Sequence, residues 1–178
     1  GLVAPGSALR RTGAQVGDDV WVSGTLGDAA GALRQCQQGD AMTPVLRERL
    51  DRPIPRVALG RALRGLAHAC IDISDGLLAD LAHICNSSGV GAQINVDALP
   101  ASAALREAFD VATCRVLQAS GGDDYELCFT APPVQRDMLH ALSQTLNLPL
   151  THIGEIVTGT GVCCAGVDVA AAGYQHFA

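Results

Sequence analysis

The sequence predicts an α+β domain, in which a mixed, largely antiparallel sheet is covered by helices. Three observations lead there. Short runs with strand-like alternation mix with longer segments whose apolar residues recur at helical spacing. Apolar residues make up 48% of the 178 residues and aromatics only 3%, so Ala, Val, Leu and Ile must fill the core. No run of about 18 apolar residues exists, which suits a packed soluble domain and predicts no membrane span.

The elements follow in order. Residues 1–18 read as an extended, turn-rich segment with Pro5, Gly6, Gly13, Gly17 and the basic pair Arg10-Arg11. A domain over 19–178 follows. Asp19 to Ser23 alternates like a strand, and Gly24-Thr25-Leu26-Gly27-Asp28 turns into an Ala-rich helix over about 28–38. Pro44 to Leu50 reads as a second helix. Arg52-Pro53-Ile54-Pro55-Arg56 is a linker whose second proline can open a helix to about Ala67. The run Ile71-Asp72-Ile73-Ser74-Asp75-Gly76-Leu77 is a strand ending in an acidic turn, and Leu77, Leu78, Leu81 and Ile84 start a helix that ends near Gly89. Gly91 to Val96 is a strand, and short helical pieces fill 101–118. Tyr125 to Ala131 is a strand after the loop Ser120-Gly121-Gly122-Asp123-Asp124. A helix over about 134–147 places Met138, Leu139, Leu142 and Leu146 on one face. Two strands, 152–157 and 161–165, and a turn to Tyr174-Gln175-His176-Phe177 complete the chain.

A net charge of −6 without a basic cluster argues against nucleic acid as a partner. It does not argue against phosphates, because a divalent cation can carry the positive charge. The seven cysteines are an odd count. Cys70, Cys85, Cys128 and Cys163 sit in apolar runs, which predicts buried, reduced thiols and a cytoplasmic location. Cys163-Cys164 lacks zinc-site spacing. His68 and His83 read as core-edge residues of amphipathic helices.

Chemistry concentrates in two acidic turns. Asp72 and Asp75, with Ser74 between them, put two carboxylates and a hydroxyl at a strand end. That suits Mg²⁺, a hard cation that shares oxygen ligands with substrate phosphates. The competing reading is a helix cap made by Ser74 or Asp75, although a cap leaves Asp72 without a task. Gly121-Gly122-Asp123-Asp124-Tyr125-Glu126 repeats the logic, its glycines allowing close backbone approach. A solvated turn is the alternative there, and Glu126 suits a structural bond to backbone or arginine. Gly24 to Asp28 lacks a P-loop ending and reads as a plain turn. Arg10-Arg11 offers guanidinium forks that match phosphate, although a lone basic pair is usually solvated.

In this order, Arg11-Thr12-Gly13-Ala14 with Gly17-Asp18, Val22 to Ala30, Pro53-Ile54-Pro55-Arg56, Ile71 to Leu77, and Gly121 to Thr130 resemble the thiamine-monophosphate kinase family. The likeness runs to Gly173-Tyr174-Gln175-His176-Phe177. It implies the fold of the C-terminal domain of the aminoimidazole ribonucleotide synthetase superfamily, which also holds selenophosphate synthetase and a hydrogenase maturation protein. It further implies an ATP-dependent, Mg²⁺-requiring transfer of the γ-phosphoryl group to thiamine monophosphate, giving thiamine diphosphate. Position by position, Asp72 and Asp75 are then Mg²⁺ ligands, Arg11 and Ser74 contact ATP, and Asp123 and Tyr174 contact the substrate. No side chain acts as a catalytic base. Several Mg²⁺ ions are implied. Some relatives carry Glu where Asp123 stands. The resemblance makes this chain a C-terminal half, with residues 1–18 leading in from an N-terminal half that lies outside it and through which the full-length protein dimerises. The alternatives are a non-catalytic nucleotide- or phosphate-binding domain, or another ATP-using synthetase of the superfamily.

Overall fold

Val20, Trp21 and Val22 are all buried, although neighbouring side chains on a strand point to opposite faces. Their strand, β1 (Asp19–Ser23), lies inside a sheet that is covered on both sides. The computed structural model describes residue 4 and residues 6–166. After β1 come α1 (Asp28–Gln38), α2 (Pro44–Asp51), α3 (Val57–Ala62), β2 (Ala69–Asp72), α4 (Leu77–Ser88), β3 (Gly91–Ile94), α5 (Ala103–Ala108), α6 (Val111–Ser120), β4 (Leu127–Ala131), α7 (Arg136–Leu146), β5 (Leu150–Val157) and β6 (Gly161–Cys164). Turns of 3₁₀ helix occupy Val96–Ala98 and Pro133–Gln135. The six strands lie in the order β2-β4-β1-β5-β3-β6. Every neighbouring pair is antiparallel except β3 with β6. This is the mixed, largely antiparallel α+β sheet that the sequence predicts.

Each face has its own core. Val20, Val22, Ile71, Cys128, Ile153 and Ile156 pack against the Leu77, Leu81 and Ile84 stripe of α4. On the opposite face the Trp21 and Phe129 rings stack with centroids 6.5 Å apart. They pack with Leu59 and Leu63 at α3 and with Leu139 of α7. A third cluster joins Ala32 of α1, Leu46 of α2, Leu105 of α5 and Leu117 of α6. Each fully buried leucine contributes about 1.5–3 kcal/mol of transfer free energy, so α4 is firmly seated.

Several boundaries differ from expectation, each for a local reason. The third helix stops at Ala62, because Gly65 turns the chain at φ 81° and lets Leu66 and Ala67 pack under the sheet. His68 therefore precedes β2 instead of lying on a helix, and its Nδ1 meets the buried Asp18 at 2.9 Å. The β3 strand ends at Ile94, where the Asn95 side chain accepts the Asp97 N–H and starts a 3₁₀ turn. β4 begins at Leu127, because Tyr125 is left-handed at φ 50°. α7 begins at Arg136, and Met138 is exposed while Leu139 is buried. His83 is also exposed, on the outer side of α4. Cys163 points outward and Cys164 inward, as alternation on β6 requires. All seven cysteines are unpaired thiols, and Cys70 is half-buried. No helix among the described residues is long and apolar enough to cross a membrane.

The pairing of β2 with β4 places the site. Asp72 stands opposite Leu127. The outgoing end of β2 and the incoming end of β4 therefore lie side by side, and both acidic turns emerge at one end of the sheet.

Candidate functional site

The first acidic turn is organised by a residue outside it. The Asp80 carboxylate, one turn into α4, reaches back and accepts the N–H groups of Ser74 (2.9 Å), Asp75 (3.0 Å) and Gly76 (3.2 Å) through one oxygen. This satisfies donors that the helix start leaves open. Asp80 is buried. Burial pushes its carboxyl up, against the pull of the Asp75, Ser74 and Gly76 amides. Neither Ser74 nor Asp75 makes a capping bond, and the cap position is Gly76. The cap reading of those two side chains is thereby set aside. Gly76 has φ 119°, and a Cβ there would lie 2.7 Å from the Ser120 carbonyl oxygen, so only glycine fits.

The second loop is stitched to the first by backbone. Asp123 N–H donates to the Ser74 carbonyl and Tyr125 N–H to the Ile73 carbonyl, both at 2.9 Å, while Ile73 N–H donates to the Glu126 carbonyl at 2.8 Å. These bonds continue the β2–β4 ladder past its formal end. Asp72, Ser74, Asp75 and Asp123 are thus brought to one edge of the sheet. Asp72 and Asp123 are exposed, and Ser74 and Asp75 are half-buried. The Tyr125 phenol, 3.3 Å from Asp123, is pushed to higher pKa by Asp123 first, then by burial, and further by Asp72 and Asp75. Arg11 lines a hollow of about 700 Å³ together with Asp72, Cys70 and Leu127. Its strand-like neighbour Arg10 accepts the Cys70 N–H at 2.8 Å, which lays the segment along the edge of β2. Tyr174 lies outside the described residues.

The donor chemistry fits Mg²⁺. Among the described residues no arginine or histidine pairs with Asp72 or Asp75, and neither carboxylate accepts a side-chain or backbone hydrogen bond. Also among the described residues, no group of three or more His, Cys, Asp or Glu converges to hold a metal by itself. Two hard oxygen donors completed by substrate phosphate is the usual Mg²⁺ arrangement.

Behind the loop sit charges of another kind. Glu126 is fully buried and accepts Arg56 through both oxygens (2.7 and 2.5 Å), Arg49 at 2.7 Å and the Ser23 hydroxyl at 2.5 Å. The structural role expected for it is what these contacts show. Gly24 is part of the same packing, since a Cβ there would strike the Glu126 carboxylate. Asp124 is buried and accepts the Gly27 N–H at 2.8 Å, while its other oxygen has no partner among the described residues. Its carboxyl is pushed up to about 8 by burial, with Asp28 and Glu126 adding to the rise and the Gly27 amide and Arg49 opposing it. The Gly24–Asp28 stretch is therefore a structural turn that anchors the acidic loop. Asp80, Arg49, Arg56 and Tyr125 were not singled out from the sequence as site residues. An acidic residue in the first turn of α4 was the one local signal available for Asp80.

Two consequences can be measured. Asp80→Ala should cost about 1–3 kcal/mol, the scale for stranding buried donors, and Asp80→Asn less, in urea titrations; an unchanged midpoint for the alanine variant would refute the clasp. Asp124 has a folded pKa of about 8, above the usual carboxylate value of about 3.9. Its contribution to stability is then full at acid pH and is lost as pH rises from about 4 to about 8. Asp124→Asn should flatten the wild-type decline between pH 5 and pH 8. A variant that loses more stability at pH 8 than at pH 5 would mean that Asp124 is ionised and paired.

Known proteins supply the context for this geometry. The family profile described as AIR synthase related protein, C-terminal domain, matches residues 15–163. The thiamine-monophosphate kinase of Haemophilus influenzae is 43% identical over 160 residues, covering 88% of this chain and 49% of that protein. The crystal structure of thiamine-monophosphate kinase from Stenotrophomonas maltophilia superposes with a TM-score of 0.89 at 56% identity, over 92% of this chain and 55% of that one. The structure of AaThiL complexed with AMPPCP and TMP superposes at 0.82 with 34% identity, over 95% of this chain and 54% of that one. The chain thus spans about half the length of the relatives it matches. With nearly all of the sheet, both acidic turns and most of its length inside the matched region, this chain belongs to the AIR synthase related protein C-terminal domain family.

Proposed function

We propose that this chain is the C-terminal half of a thiamine-monophosphate kinase, which transfers the γ-phosphoryl group of ATP directly to the phosphate of thiamine monophosphate. One observation carries the reading. Two acidic turns, the first bearing the unpartnered carboxylates of Asp72 and Asp75, are clasped together at one sheet end, in a chain similar to a protein solved with AMPPCP and TMP.

In this reading Asp72 and Asp75 hold Mg²⁺. When bound there, Mg²⁺ would supply neutralisation of phosphate charge, which with positioning is expected to dominate phosphoryl transfer. The Ser74 hydroxyl donates to an ATP phosphate, and the Arg11 guanidinium supplies a forked contact from the edge of β2. Asp123 faces the acceptor, and Tyr174 offers its ring to the thiamine. The attacking oxygen belongs to a phosphate and is already ionised, so no side chain need remove a proton. The 3.0 Å reach of Asp80 to the Asp75 amide fixes the metal turn before substrate arrives. Residues 1–18 lead in from an N-terminal half that supplies further metal ligands and the dimer contact, and the enzyme works in the cytoplasm.

The test uses the full-length kinase. Thiamine diphosphate formation should require Mg²⁺, and Asp72→Asn or Asp75→Asn should each lower kcat at least about 100-fold, with partial rescue by excess Mg²⁺ and little change in melting temperature. Near-normal turnover of both variants at limiting Mg²⁺ would remove these residues from the metal site. Absence of thiamine diphosphate formation by the wild type would favour the non-catalytic binding domain.

A further inference from the structure

Tyr125 occupies a backbone conformation that a bulky side chain disfavours. Its φ is 50°, and Asp123, two residues before it, has φ 65°. Such conformations persist only where the surroundings impose them. Here the surroundings do so. The N–H groups of Asp123 and Tyr125 are tied to Ser74 and Ile73. Arg49 reaches the Asp124 carbonyl at 3.4 Å. The side chains of Asp124 and Glu126 are drawn inward, to Gly27 and to the Arg49–Arg56 pair. With both neighbours turned in, Tyr125 is turned out and remains 39% exposed.

A solvated turn would place glycine or asparagine here without strain. A packing anchor would bury its ring. Tyr125 does neither, and its phenol instead donates to Asp123 Oδ1 at 3.3 Å. That is long for a hydroxyl–carboxylate bond. Asp123 makes no other side-chain bond among the described residues, so the phenol is the one side chain bonded to its carboxylate there.

We infer that Tyr125 is a positioning residue for the phosphate acceptor, its phenol O–H fixing the Asp123 carboxylate against thiamine monophosphate. This rests on the kinase reading above. The experiment is steady-state kinetics of the full-length enzyme with each substrate varied, together with melting temperatures. Tyr125→Phe should raise the thiamine monophosphate KM about 3–10-fold, the scale of one hydrogen bond. The kcat and the ATP KM should stay within about twofold. In an Asp123→Ala background the same substitution should add nothing, because it acts through Asp123. Tyr125→Gly, which relieves the backbone, should keep or raise the melting temperature while raising the acceptor KM at least as far as Tyr125→Phe. The inference is overturned by unchanged KM values in Tyr125→Phe, by an effect confined to ATP, or by an equal effect with and without Asp123. A wild-type enzyme that makes no thiamine diphosphate overturns the kinase reading itself and this inference with it.

Discussion

A carboxylate without solvent exposure holds this site together. Glu126 sits where the chain enters β4, with two arginines and a serine hydroxyl on its oxygens. Removing one partner from such a buried group costs about 3–5 kcal/mol, because the others are left charged and dry. Arg49 comes from α2, Arg56 from the approach to α3, and Ser23 from β1. One side chain thus ties three separate pieces of chain to the root of the acidic loop. The Glu126 carbonyl accepts Ile73 N–H, so the same residue also fixes the first acidic turn to the second.

The consequence is a division of labour among the acids. Those pointing inward are committed: Asp80 to three amides, Asp124 to Gly27, Asp28 to Thr25 and Ser102, Glu126 to its arginines. Those pointing outward, Asp72 and Asp75, have no partner among the described residues, and Asp123 has only the Tyr125 phenol. An inner set held by hydrogen bonds and an outer set left open to solvent are compatible with the proposed phosphate chemistry, since open carboxylates need not break bonds when a cation arrives. The left-handed backbone at Asp123 and Tyr125 is the local cost of that arrangement.

The parts legible in the sequence are those whose cause is local. The change from strand to helix period across Asp72–Leu77 is visible within a dozen residues, and so is the leucine stripe of α4. The first acidic turn was legible because Asp72 and Asp75 are close in sequence. What decides their presentation was not. Asp80 looks like an ordinary first-turn acid until the fold bends three amides toward it. Arg49 and Arg56 stand 77 and 70 residues from Glu126, and no spacing rule joins them. The strand expected from Tyr125 begins two residues later, because tertiary bonds to Ile73 and Ser74 override the β preference of an aromatic. His68 was read as helical from its apolar neighbours, yet that helix ends at Ala62 and Gly65 then turns the chain. Cys163 was read as buried from the apolar run around it, and strand alternation turned it out.

The assignment of Asp72 and Asp75 to a metal–phosphate site rests on their unpartnered carboxylates. It is tested most directly by a high-resolution crystal structure of the full-length protein with Mg²⁺, a non-hydrolysable ATP analogue and thiamine monophosphate. Mg²⁺ is expected at about 2.0–2.1 Å from oxygens of both Asp72 and Asp75, with Asp80 still on its three amides. A structure in which every Mg²⁺ is held by residues outside this chain, with Asp72 and Asp75 in solvent, would contradict it.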